Sequence, residues 1–325
     1  MRARPWRAWL GLTLAGLGVA AFACTTAPLQ AVAPGVWAWP GQDEDLSADN
    51  GGHIVTNVVV QAQGQAWVID PGPTQAHGQA LRAAIACQLK VPVAAVWNSH
   101  AHAENTLGNQ AFKEAGVPIW ATPQTQSAMR QRCPSCLAHV IDTVGEAAHG
   151  TAIVIPAHRA DLPAGVWQAG PTGDSRWKQR AFQGAHSESD AVWWQPQQRV
   201  LIAAGLVYRA RIPELAQGSL RTWIAALDQL WALSPRVVIG QAVGDAQDIK
   251  HTRRYLCALQ DAVLAALARG ETASGVALLA LPEFSAWAGY DARQGFNTQR
   301  AWRELEAAWM QGPVPACNPL PPPAH

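Results

Sequence analysis

An apolar stretch, Val93-Ala94-Ala95-Val96-Trp97, runs without a break into Asn98-Ser99-His100-Ala101-His102. Pro92 closes the helical pattern before it, so the stretch reads as a buried strand. Two histidines two residues apart on an extended segment turn their rings to one side. A buried strand that delivers two imidazoles at its end restricts the fold to architectures in which strand ends gather around a site. The neighbouring sequence agrees. Ile54-Val55 and Val58-Val59-Val60 precede a turn at Gly64, and Ala66-Trp67-Val68-Ile69 stops hard at Asp70-Pro71-Gly72-Pro73. Leu81, Ile85 and Leu89 recur at helical spacing, and a short helix around 109–114 leads to a strand at 117–121. Strands that alternate with helices indicate an α/β layered domain.

A second set of strands is expected at 151–155, 191–194, 199–203 and 236–239, with a helix at 220–233. Beyond Gly244 the pattern becomes helical. Leu256, Leu259, Val263 and Leu267 share one face of a helix over 251–269, which Gly270 stops. Asn297 is expected to cap a last helix over 298–310. The tail from Pro313 has six prolines and no periodicity, so it reads as extended or disordered. No repeat of 20–50 residues is present, which excludes solenoids and propellers.

Arg2, Arg4 and Arg7 precede an uncharged apolar run at 9–22, too short to span a membrane and right for an export signal over 1–23. Ala21-Phe22-Ala23-Cys24 has two readings: an ordinary cleavage site, or a lipoprotein signal with lipid on the Cys24 thiol. The chain is therefore expected in the periplasm, free or membrane-anchored. Export places the other cysteines, Cys87, Cys133, Cys136, Cys257 and Cys317, in an oxidising compartment. Cys133-Pro134-Ser135-Cys136 reads as a local disulfide or a reducible pair, and Cys87 as a buried thiol. Cys257 and Cys317 are placed to bridge a C-terminal helix to the tail. Charged residues are only 14% and the net charge is +1, which sets nucleic acid aside as a partner.

Of ten histidines, three stand out. His186 follows Gly184-Ala185 in a loop, where a third ligand for His100 and His102 would come from. His53, His77, His139, His149, His158, His251 and His325 read as surface or turn residues.

The order of these features resembles the metallo-β-lactamase superfamily. Val68-Ile69-Asp70-Pro71-Gly72, the segment 98–109, Gly184-Ala185-His186-Ser187, the segment 200–207 and Val238-Ile239-Gly240-Gln241 match its five elements in order. The resemblance implies a four-layer αβ/βα sandwich over 33–245, a helical extension over 246–312 and a Pro-rich tail over 313–325. It also implies a structural role for Asp70 and a zinc site at His100, His102 and His186. More narrowly, Ala76-His77-Gly78-Gln79-Ala80-Leu81, the Cys133–Cys136 motif, Gly150-Thr151 and the segment 297–306 are similar to quinoprotein relay system zinc metallohydrolases.

The departures fall on the family's second metal. Its positions hold Glu104, Asn105, Gly205 and Gln241. Neutral amides are poor zinc ligands and glycine offers none, so one zinc is expected. The implied activity is hydrolysis with zinc-bound water as nucleophile and Glu104 as base. Asn105 or Gln241 would donate to a substrate oxygen, and Lys178 or Arg180 would approach from the His186 loop. The loop 161–177, with Trp167 and Trp177, is a candidate pocket wall. The alternative is a non-catalytic accessory or binding protein of a quinoprotein (PQQ) dehydrogenase system, with a dehydrogenase or cytochrome as partner.

Overall fold

A computed structural model describes residues 27–170, 175–273 and 279–321. The export signal and the Cys24 lipidation reading lie outside them. The described chain forms two mixed sheets between two layers of helix. The first sheet comprises β1 (Gln30–Ala33), β2 (Val36–Trp39), β3 (Asn57–Ala62), β4 (Gln65–Ile69), β5 (Val93–Trp97), β6 (Ile119–Ala121) and β7 (His158–Arg159), in sequence order. It is antiparallel up to β4 and parallel from there on. The second runs β13-β12-β11-β10-β9-β8, from β8 (Gln168–Ala169), β9 (Lys178–Gln183), β10 (Ser189–Gln195), β11 (Val200–Ile202), β12 (Val237–Ile239) and β13 (Val243–Gly244).

Side chains alternate across a strand, and that alternation divides the interior into three apolar layers. Trp67 and Ile69 of β4, Ala95 and Trp97 of β5, Ala191 and Trp193 of β10, and Val200 and Ile202 of β11 meet between the sheets. Val68 and Val96 face outward onto α1 (Gln75–Ala84) and α3 (Asn109–Lys113), where they meet Leu81 and Phe112. Val192, Trp194 and Leu201 face the other way, onto α5 (Leu220–Trp231) and α6 (Ala246–Ala268). Strands buried on both faces read as continuous apolar runs, as 93–97 does.

The structure corrects several local expectations. Residues 151–155 form no strand. A helix not legible from periodicity, α4 (Pro123–Val144), starts where the Thr122 hydroxyl accepts from Thr125 N at 3.1 Å with Pro123 in its first turn. It carries Cys133 and Cys136 as free thiols, against the disulfide reading. Helix packing separates them: Cys133 sits with Ala101, Ala128 and Met129, while Cys136 packs beside Ala103, Leu107 and Val140. Cys87 is disulfide-bonded rather than a thiol. The final helix, α7 (Tyr290–Trp309), begins seven residues before Asn297. Asn297 is no cap; its fully buried amide accepts from Leu215 N at 2.9 Å and donates to Pro213 O at 2.7 Å.

The proline-rich tail is extended and docked. Cys317 is bonded to Cys257 on α6, Arg253 donates to Asn318 O at 2.8 Å, and the Trp231 indole donates to Pro321 O at 2.8 Å. The disulfide closes a loop with a sequence separation of 60. Cross-links of that span contribute about 2–4 kcal/mol by restricting the unfolded chain. Cys257→Ala/Cys317→Ala is therefore expected to lose about 2–4 kcal/mol in denaturant titration and to gain a protease-sensitive C-terminus in limited proteolysis.

Candidate metal centre

β4, β5, β11 and β12 end at one edge of the sandwich, and their following residues form the site together with the β9–β10 turn. β5 continues into Ser99, His100 and His102. The turn contributes His186, and β11 leads to Gly205. One ring nitrogen of each of His100, His102 and His186 lies within 4.8 Å of the others, and the ring centroids are 4.6–4.8 Å apart. His100 and His186 are buried; His102 is half-buried and reaches an adjoining groove.

Fixed partners set the nitrogen that each ring offers. The Ser99 hydroxyl donates its one proton to Asp70 Oδ2 at 2.5 Å, so it meets His100 Nδ1 at 2.7 Å as acceptor. The His100 proton therefore sits on Nδ1, and Nε2 is free. Gln217 Oε1 lies 2.9 Å from His102 Nε2, which leaves Nδ1 beside Glu104 Oε1, 3.5 Å away. Asp190 Oδ1 lies 3.0 Å from His186 Nδ1, which frees Nε2. Such partners hold a ligating ring in one tautomer and orientation. Asp190 is itself fixed by the amides of His186 and Ser187, each at 2.9 Å, and by the Ser187 hydroxyl.

Burial, then the neighbouring rings of His102 and His186, hold the His100 pKa well below its usual value, so this ligand is neutral. Burial would lower His102 too, but Glu104, 3.5 Å from its Nδ1, raises it to about 9. Burial opposes ionisation of Glu104, and His102 overcomes it, drawing the carboxyl down to about 2. Asp70 is pushed up to about 6 by burial, against the pull of Ser99 and Asn105.

Glu104, Asn105, Gly205 and Gln241 line one cavity of about 20 Å³ together with His100, His102 and Tyr208. The two amides are not placed as donors. Asn105 Nδ2 donates to Asp70 Oδ2 at 3.0 Å and Gln241 Nε2 to Ile54 O at 3.2 Å, which leaves their oxygens without a donor among the described residues. At Gly205 a Cβ would lie 2.5 Å from His186 Cε1 and 3.0 Å from His100 Cε1. The position is filled by the ligand rings themselves.

Lys178 and Arg180 do not reach the site. Arg180 lies over Phe182 and Trp167 and bonds Gln229 at 2.6 Å. The described residues of the 161–177 loop do not wall the site either: Trp177 is buried between the sheets, and Trp167 packs against the α5–α6 layer. The groove beside His102 and Glu104, about 450 Å³, takes its cations from Arg132 on α4 and Arg293 on α7, with Asp45 and Glu214 beside them. His53 and His77 are not surface residues. His77 stacks on Trp39 at 4.1 Å and donates from Nε2 to Asn57 Oδ1 at 2.7 Å, and Asn57 donates to Asp70 O at 2.6 Å.

Sequence reasoning missed Asp190, Gln217, Tyr208, Arg132 and Arg293. Asp190 had a signal, four residues after His186 in a Ser-rich turn. Tyr208 and Gln217 lie in the irregular stretch between β11 and α5, where no periodicity marks a side chain's direction.

The sequence profile of the metallo-beta-lactamase superfamily matches residues 50–242, which include all three histidines. No curated protein matches the chain. Among solved structures, a metallo-beta-lactamase from Hirschia baltica has a TM-score of 0.58 at 15% identity, covering 71% of this chain and 97% of that one. One from Pontibacter korlensis has a TM-score of 0.55 at 19% identity, covering 71% and 98%. These likenesses establish the fold.

Two substitutions test this geometry. Gly205→Ala puts a methyl group against two ligand rings, and Asp190→Ala releases His186. Each is expected to weaken metal binding by about 10–100-fold in chelator competition, with the circular dichroism of the fold retained.

Proposed function

Because the chain belongs to the metallo-β-lactamase superfamily, we propose that it is an exported, periplasmic hydrolase of that fold working with a single zinc ion held by His100 Nε2, His102 Nδ1 and His186 Nε2. The observation that carries this reading is the ring geometry: three different partners hold the opposite nitrogen of each ring and the three rings converge, and the proton that Glu104 favours on His102 Nδ1 is the one that zinc would displace. Imidazole donors suit zinc, and three of them leave a position for water or substrate. When bound, zinc supplies Lewis acidity and makes nearby water easier to deprotonate.

The chain's own residues supply the rest. Glu104 is ionised and beside the ligand set, and it is the proton acceptor for an attacking water. Tyr208, whose hydroxyl lies 3.4 Å from His186 Nε2, lines the cavity beside the ligand set and stays protonated because burial raises its pKa. The groove walled by Arg132 and Arg293 is the substrate entrance. The Cys257–Cys317 disulfide supports an oxidising compartment. The narrower sequence resemblance favours a setting beside periplasmic quinoprotein dehydrogenases.

Elemental analysis of protein recovered from the periplasm is expected to give one zinc per chain, absent from His100→Ala/His102→Ala. Screening esters, thioesters and β-lactams should reveal turnover that a chelator abolishes and zinc restores. A metal-free native protein would overturn the reading, and metal-replete protein without turnover on any of these would favour the accessory role.

A further inference from the structure

The cavity beside the three imidazoles, about 20 Å³, has room for one water-sized group. Asn105 is 3% exposed and Gln241 9%. Their amide orientations follow from their partners: Asp70 Oδ2 and Ile54 O can only accept here, so each side chain must turn its nitrogen toward them. Asn105 Oδ1 and Gln241 Oε1 are left as buried acceptors that meet no donor among the described residues. Tyr208 lines the same cavity, and its phenol is an O–H donor. Two acceptors lacking a donor and one donor around a one-water space are a complementary set, because buried water typically makes about three hydrogen bonds.

We propose that this cavity binds a single water molecule as a structural ligand, with its two hydrogens given to Asn105 Oδ1 and Gln241 Oε1 and its oxygen accepting from the Tyr208 hydroxyl. The site selects hydrogen-bond donors. An anion is repelled by the two carbonyl oxygens and by Glu104. A second zinc ion finds one carboxylate and two neutral oxygens, and Gly205 has no side chain to add. Tyr208 is thereby a positioning residue for a neutral water next to the ligand set. The inference stands on the cavity walls and does not require the three histidines to carry metal.

A high-resolution crystal structure of the zinc-soaked full chain, with anomalous data at the zinc edge, tests it directly. The expected result is a water peak within about 2.6–3.2 Å of both amide oxygens and no anomalous signal there. A metal peak at that point, or no density, would overturn the proposal. Loss of the anomalous peak at the three histidines, with the water still present, would instead refute only the zinc hydrolase reading. Zinc titration gives an independent check. The Glu104→Asp/Asn105→His/Gln241→His variant, which replaces the amides with nitrogen ligands, should bind one equivalent more than the wild type, whatever the wild type binds at the three histidines. Two equivalents on the wild type, or no additional equivalent on a folded variant, would count against donor selection by the amides; if the variant does not fold, the crystal structure decides.

Discussion

The site depends on the Asp70 carboxylate. It accepts from Ser99 N at 2.8 Å, from the Ser99 hydroxyl and from Asn105 Nδ2. Those bonds join the end of β4 to the segment after β5, which carries His100 and His102. Asp70 itself has φ +57°, a left-handed backbone that favours glycine and is uncommon for a side-chain-bearing residue. The strain is offset locally: Asp70 N donates to Trp97 O at 2.9 Å, and Asn57 donates to Asp70 O. His77 and Trp39 then hold Asn57 in place. A buried carboxylate with three donors is costly to disturb, because removing it strands every one of them.

The C-terminal helices belong to this site as much as the two sheets do. Glu304 on α7 accepts from the Ser219 hydroxyl and from the amides of Leu220 and Arg221, at the start of α5. Asn297 grips Pro213 and Leu215. The stretch between β11 and α5, which carries Tyr208, Glu214 and Gln217, is thus moulded by a helix that follows it by some eighty residues. Arg293 on the same helix bonds Asp45 at 2.5 Å, and Arg211 bonds that carboxylate too, so the loop before β3 closes over the groove.

This explains what was legible in the sequence and what was not. The two sheets and their helices follow from local periodicity, which needs only neighbours within a few residues. Among the strands that feed the site, β5, β11 and β12 are plain apolar runs, and β4 is one after its first residue. His100, His102 and His186 are visible because their strands and turn deliver them. Gln217 and Tyr208 are not, since their placement depends on Asn297 and Glu304, far away in the chain. The cations were misplaced for the same reason. Arg180 is near His186 in sequence but on a strand whose outward face meets Phe182 and Trp167, whereas Arg132 and Arg293 arrive on helices from either side. Asn297 was read as a cap because a polar residue before an amphipathic run usually is one; here its amide serves a distant loop instead.

The three ligands are not equivalent. His186 hydrogen-bonds a carboxylate, and His100 reaches one through Ser99, so both rings are held in orientation by charged partners. His102 has only the neutral Gln217 behind it, and it faces Glu104 instead. It is also the one ligand that lines the open groove. A molecule entering past Arg132 and Arg293 therefore meets the least firmly held ring first, with the ionised Glu104 beside it. The two buried rings are held by Asp190 and, through Ser99, by Asp70, and they occupy the space beside Gly205 that a Cβ would need. Any adjustment of the site to a bound group must pass through His102 and the Gln217 loop that α7 holds.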